Sequence, residues 1–289
     1  MVCLENDFLK VWIKPKGAEL KSLVNKKNGV DHLWNADPYF WGKASPVLFP
    51  IVGALKNDEY VFEGESYSLP RHGFARDMMF SVESKSNEKA VFLLSANAET
   101  KTKYPFDFEL RLIYTVQGNE LKLTYEVQNT DSKTMYFSLG GHPAFAVPFE
   151  GAGTYPDYSI VFNKAENLSR FLLNKEGLLT GESEEMTLDE GKLHLSKELF
   201  YDDALVFKGL QSNVLKIVGK ESSPSMKFKF EGFPFFGIWA AKNAPFVCLE
   251  PWCGVADNVQ HNQELTEKEG IEKLTAGDLF SRAWSVEVN

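Results

Sequence analysis

Three short segments of the 289-residue chain concentrate side chains able to move protons and grip a polar ligand. The first runs Leu69-Pro70-Arg71-His72-Gly73-Phe74-Ala75-Arg76-Asp77 and sets a histidine between two arginines. A guanidinium offers a rigid fork of donors suited to a polyol or a phosphate. The glycine after His72 would let the backbone approach a ligand closely. A solvated surface loop explains this segment equally well. The second, Ser138-Leu139-Gly140-Gly141-His142-Pro143-Ala144-Phe145, brings a histidine to a strand end, with proline biasing it to extended backbone. Glycines leave space around that ring, and an imidazole titrates near neutrality, which suits a general acid. The third, Pro245-Phe246-Val247-Cys248-Leu249-Glu250-Pro251-Trp252, ends an apolar run on a carboxylate. Burying that group unpaired is costly, so its pKa is expected to be raised. Trp252 beside it offers a flat face for the C–H side of a pyranose. His32, His194 and His261 sit in polar or alternating surroundings and are read as structural or solvated. Trp34, Trp41 and Phe233–Phe236 are read as core.

The elements that must position these groups are strands. Leu110–Val116 and Leu121–Val127 alternate apolar and polar residues on either side of Gly118-Asn119, a β-hairpin pattern. Similar runs lie at Ala90–Ser95, Thr134–Leu139, Tyr158–Phe162, Ala204–Phe207, Val214–Val218, Ser225–Phe230 and Ser285–Val288. Short spacing with Gly, Pro, Asn or Asp between runs predicts an all-β fold, a large antiparallel β-sandwich. Asn262–Leu274 carries the clearest helical signal, weakened by Gly270. Asn163–Glu198 is expected to form loops and a short hairpin, and the charged clusters Lys85–Lys89 and Glu182–Glu185 solvated turns. Without repeat or linker, residues 1–289 are read as a single domain.

Composition narrows the function. The net charge of −9 argues against nucleic acid and anionic membranes as partners. Three scattered cysteines make no disulfide framework, and the N-terminal Met1–Asp7 has no apolar signal core, so a cytoplasmic, soluble protein is expected. The most apolar stretch, Phe233–Trp252, is broken by Lys242, Asn243, Glu250 and prolines, which rules it out as a membrane span.

Taken in order, Arg71-His72-Gly73-Phe74-Ala75-Arg76, Gly141-His142-Pro143-Ala144-Phe145 and Glu250-Pro251-Trp252 resemble the aldose 1-epimerase (galactose mutarotase-like) superfamily, most closely its LacX-like branch. Phe49–Gly53, Asp203–Phe207 and Gly270–Trp284 extend the resemblance over nearly the whole chain. It implies a β-supersandwich with an open cleft and an isomerase that needs neither cofactor nor metal. His142 would be the acid that protonates the ring oxygen of a hexose, Glu250 the base at the C1 hydroxyl, and His72 a group orienting sugar oxygens. Arg71, Arg76, Asp203 and Trp252 would bind the sugar. Two departures bear on substrate. Where the galactose mutarotases carry an arginine after Gly53, this chain reads Ala54-Leu55-Lys56-Asn57-Asp58, so either Arg71 or Arg76 would stand in or the substrate differs. The family's sugar-binding aspartate falls at Asp202-Asp203, and alternation along a strand would admit one of the two, here assigned to Asp203.

Other readings remain open at this level. Paired arginines would also suit a hexose-6-phosphate 1-epimerase, and a sugar-binding protein would need Trp252 and the arginines without the acid–base pair. Two histidines and a carboxylate can form a metal triad, though these three are far apart in sequence. A glycosidase would need a second facing carboxylate. The particular hexose and the oligomeric state are not assigned.

Overall fold

The alternation of apolar residues is expressed as two large antiparallel sheets in the computed structural model, which describes residues 1–149, 152–220 and 224–289. In the nine-stranded sheet the order is Lys192–His194, Ser159–Phe162, Val214–Val218, Met226–Lys229, Leu279–Val288, Glu120–Asn129, Phe108–Gln117, Lys89–Ser95, Ser81–Lys85. The eight-stranded sheet runs Leu179–Met186, Leu168–Leu173, Leu205–Lys208, Phe235–Trp239, Phe246–Cys253, Leu139–Gly141, Val47–Leu48, with Ala144–Ala146 joined to Phe246–Cys253. The expected hairpin lies inside the first sheet, between Leu279–Val288 and Lys89–Ser95. Glu120 pairs with Gln117 and Asn129 with Phe108, so Leu110, Leu112, Tyr114, Leu121, Leu123 and Tyr125 all point inward and are buried.

One hydrophobic cluster, from Val2 to Val288, fills the space between the sheets. Phe228 of the nine-stranded sheet meets Phe145 and Phe236 of the other, with ring centroids 5.8 and 6.3 Å apart. A smaller cluster of Leu48, Val52, Leu179, Ala204, Val206, Phe235, Trp252 and Val255 lies on the opposite face of the eight-stranded sheet. The period of two explains the division. Leu205 and Phe207 belong to the large cluster and Val206 to the small one; Phe236 and Ile238 belong to the large cluster and Phe235 to the small one. The small cluster is the floor of a cleft.

Several expectations are corrected. Asn262–Leu274 is not a helix: it holds a single 3-10 turn at Leu265–Glu267 and a strand, Glu272–Leu274, antiparallel to Met135–Phe137. Gly270 has φ +73°, and a Cβ there would stand 2.4 Å from the Phe235 ring, so backbone fit overrides helical propensity. Thr134–Leu139 divides into Met135–Phe137 and Leu139–Gly141, which join different sheets. Glu182–Glu185 is exposed but lies within the strand Leu179–Met186 rather than a turn. That strand and Leu168–Leu173 make a hairpin that extends the eight-stranded sheet. A three-stranded sheet of Val2–Glu5, Leu9–Lys14 and Glu19–Asn25 was not anticipated. No helix among the described residues is long and apolar enough to cross a membrane.

Candidate active site

A cavity of about 770 Å³ opens on the cleft face of the eight-stranded sheet, and all seven side chains singled out in the sequence line it. Glu250 is placed by strand alternation. Leu249 enters the core, so Glu250 faces the cavity, and Trp252, two residues on, shares that face. Gly237 pairs with Glu250 and Gly140 with Trp252. Both neighbours must be glycine because the indole occupies the space a Cβ would need, 2.5 Å from Gly237 and 2.6 Å from Gly140. The glycines before His142 therefore serve packing and not ligand space. At Gly141 a Cβ would stand 2.7 Å from both the Trp284 Nε1 and the Tyr125 hydroxyl.

His142 follows directly, and its Nε2 lies 3.1 Å from Glu250 Oε2. Both groups are almost wholly buried, Glu250 at 1% and His142 at 7% exposure. Burial pushes the Glu250 carboxyl well above its ordinary range; Arg71 opposes that rise and Asp203 adds to it. Burial pushes the His142 imidazole down to about 3, with the charges of Arg76 and Arg71 acting in the same direction. The free site thus favours a neutral pair, with one proton residing on the carboxyl side.

His72 approaches from the opposite loop, its ring 5.7 Å from that of His142. Its Nδ1 accepts a hydrogen bond from the Gly53 N–H at 3.1 Å, and the backbone N–H of His72 donates to the Gly53 carbonyl at 2.9 Å. With Nδ1 an acceptor, the ring proton sits on Nε2 and the imidazole is a donor. Burial holds its pKa well below the usual value, so it stays neutral. Gly73 does not bring backbone to a ligand as the sequence suggested. Its φ is +69°, and a Cβ would fall 2.3 Å from the Phe49 carbonyl, so it is a close backbone crossing.

At the rim, Arg71 forks onto both carboxylate oxygens of Asp203 at 3.3 Å. Arg76 donates to the Arg71 carbonyl at 2.7 Å and is itself mostly buried, which lowers its pKa. Asp202 and Asp203 are not strand neighbours. They sit in the turn before Leu205, Asp203 at φ +77°, and both line the cavity, so the alternation rule does not apply to them.

Two aromatic groups escaped the sequence reading. Trp41, expected in the core, lines the cavity and stacks on His142 with centroids 4.8 Å apart and planes 30° apart. The Trp34 indole N–H, donating to the Trp41 carbonyl at 2.9 Å, holds it there. Trp239 packs edge-on to both His142 and Trp41 at 5.6 and 5.5 Å. Its parity with Phe235, opposite to Phe236 and Ile238, was a usable signal; Trp41 lies in a loop without any period. The remaining histidines lie elsewhere: His32 in the core, His194 exposed between Ser159 and Asp189, and His261 beside Asp257. As a potential metal locus, an imidazole nitrogen of His142, the Sγ of Cys248 and a Glu250 oxygen all fall within 4.8 Å of one another.

The family model for aldose 1-epimerase matches residues 1–268 of this chain. The chain belongs to the aldose 1-epimerase family. It is similar to the chromosomal LacX protein of Lactococcus lactis, 31% identical over 294 residues, spanning 99% of this chain and 98% of the relative. Among solved structures, a galactose mutarotase related enzyme from Lactobacillus acidophilus superposes with a TM-score of 0.95 at 34% identity, covering 100% of this chain and 97% of that one. A galactose mutarotase-like protein from Lactobacillus casei gives 0.94 at 32% identity, with both chains covered completely. The fold of this aldose 1-epimerase family member is thus the galactose mutarotase-like β-sandwich.

Proposed function

We propose that this member of the family interconverts the α and β anomers of an unphosphorylated hexose by ring opening and closure, with no cofactor. The observation that carries the reading is the 3.1 Å separation of His142 Nε2 and Glu250 Oε2 at the floor of the cavity. Ring opening needs a proton delivered to the ring oxygen while another leaves the C1 hydroxyl. In this reading protonated His142 gives its proton to the ring oxygen and Glu250 carboxylate takes the hydroxyl proton. The C1–O5 bond breaks as the C1 carbonyl forms. Rotation about C1–C2 presents the other carbonyl face, and closure runs the same transfers backwards.

The open-chain stage leaves His142 neutral and Glu250 protonated. That is the distribution burial already favours in the free site. The environment therefore stabilises the intermediate, and the charged starting pair must draw on the sugar hydroxyls and on Arg71. His72, fixed as an Nε2–H donor, is suited to a sugar oxygen, and Trp252 to the apolar pyranose face. An unphosphorylated sugar is favoured because the Arg71 fork is already engaged by Asp203, and a 6-phosphate would have to displace that carboxylate.

Polarimetry on freshly dissolved α-glucose and α-galactose, with the parent chain and Glu250→Gln, tests the reading. Acceleration by the parent that is lost in the variant supports it. A variant that turns over at the parent rate removes Glu250 as the base. No acceleration of either sugar or of their 6-phosphates leaves a sugar-binding protein.

A further inference from the structure

Cys248 plays no part in the proton chemistry, yet it lies two residues before Glu250 on one strand, so alternation turns both toward the same face. Its Sγ, an imidazole nitrogen of His142 and a Glu250 oxygen form a mutually close group, all within 4.8 Å and all buried. We propose that His142, Cys248 and Glu250 form a binding site for a single zinc ion, whose occupancy takes both members of the proton pair out of action.

The donor set is one imidazole nitrogen, one thiolate and one carboxylate, three ligands of the kind that leave a fourth position open. Here His142 and Glu250 line the cavity, while Cys248 supports them from the core cluster. A tetrahedral zinc at about 2.0–2.3 Å from N, O and S sets its ligand atoms roughly 3.3–3.6 Å apart. The His142 Nε2 and Glu250 Oε2 already stand 3.1 Å apart, so closing the site asks the thiol, which lies within 4.8 Å of its partners, to move inward. Charge also balances. Buried separately, the thiol and the carboxyl stay protonated; a dication replaces their two protons and leaves a neutral cluster. The nearby guanidinium of Arg71, which would repel a cation, is itself paired with Asp203. The thiolate selects a thiophilic metal over magnesium or calcium.

The site itself stands independently of the epimerase reading; its inhibitory consequence rests on that reading. Cadmium serves as the probe, since its thiolate complex gives a charge-transfer absorption in the ultraviolet. The chain has three cysteines, so the Cys3→Ser/Cys253→Ser double variant retains Cys248 as its one thiol and leaves the proposed ligands untouched. Titrating this variant with cadmium is expected to raise the band to saturation at one ion per chain, with zinc displacing it. Cys248→Ser should abolish the band, and His142→Asn should weaken the affinity by roughly tenfold or more. A double variant without the band overturns the proposal, as does a band that survives Cys248→Ser. None of these readouts uses turnover, so a chain that fails polarimetry can still pass them. Where turnover is present, zinc at the saturating ratio should stop it; undiminished mutarotation at that ratio overturns the inhibitory role.

Discussion

Gly237 faces Glu250 across the pairing of two central strands, and the six-membered ring of Trp252 lies where its Cβ would be, 2.5 Å away. The indole platform and the carboxylate are thus seated by the same missing methyl group. Gly237→Ala should displace the indole and press on the Glu250 Cβ, which stands 3.3 Å from the added carbon. Gly237 has an ordinary φ, so the fold should form, with a loss of roughly 1–3 kcal/mol from overpacking. Mutarotation should fall by about tenfold or more, since a displacement of an ångström at a reacting pair has that order of effect. Polarimetry beside a urea titration measures both.

Burial of Glu250 and of three histidines gives stability a defined pH dependence. Glu250 is raised in the folded chain, so between its unfolded value near 4.5 and its folded one the native state holds the extra proton. Stability therefore declines as pH rises through that window. Glu250→Gln should be the more stable protein at neutral pH, with an advantage that grows as pH rises from about 4.5 at up to ~1.4 kcal/mol per unit. Melting curves of parent and variant at several pH values report it, and a constant difference across them would contradict the buried, protonated carboxyl.

The histidines act with the opposite sign. His142 is lowered to about 3 and His32 to about 4, and His72 lies well below its usual value, each because of burial. Below the unfolded value near 6.5 the unfolded chain binds protons the native chain refuses, so stability present above that pH is lost as it falls. His32 is fully buried against Phe149 and is not among the residues lining the cavity. His32→Leu should flatten the acid limb by ~1.4 kcal/mol per pH unit between roughly 6.5 and 4 while leaving the pH–rate profile of mutarotation in place.

The strands and the three chemical segments were legible because their signals are local. Period-two alternation in Phe108–Asn129 states which side chains go inward, and a carboxylate at the end of an apolar strand states its own burial problem. What failed was whatever depends on distant partners. Gly73 answers to the Phe49 carbonyl, and Gly140 to the Trp252 ring. Trp41 reaches His142 from a loop whose course is set by Trp34. Gly270 reads as a blemish in a helix until Phe235 is seen against it. The Asp202-Asp203 question was framed on a strand that begins only at Leu205.

The Arg71–Asp203 fork offers a test of substrate choice. Asp203→Asn leaves the guanidinium without a counter-charge at the cavity rim. Affinity for an unphosphorylated hexose should fall, raising KM several-fold, while inorganic phosphate should become a stronger inhibitor as the fork turns to an anion. Initial rates with and without phosphate measure this. Phosphate inhibition equal in parent and variant would mean the fork does not face the ligand.

Beneath the wall formed by Gly53 and Ala256, Lys268 donates to Asp257 at 2.7 Å, both side chains 1% exposed. Asp257 also accepts the Lys56 N–H at 3.0 Å, and its own N–H donates to the Ala54 carbonyl at 2.9 Å, next to the Gly53 N–H that fixes His72. Removing one partner strands the other charge in the interior, which costs about 3–5 kcal/mol, whereas replacing both with apolar residues removes the stranded charge. Lys268→Met should therefore lower the urea midpoint sharply, and Lys268→Met/Asp257→Leu should regain much of that loss. Because Asp257 also holds Lys56, the double variant should still disturb the Gly53 segment and with it the ring orientation of His72. Recovered stability with a kcat that stays depressed would separate the positioning role of this pair from its contribution to folding. Full recovery of both would reduce the pair to a stability element.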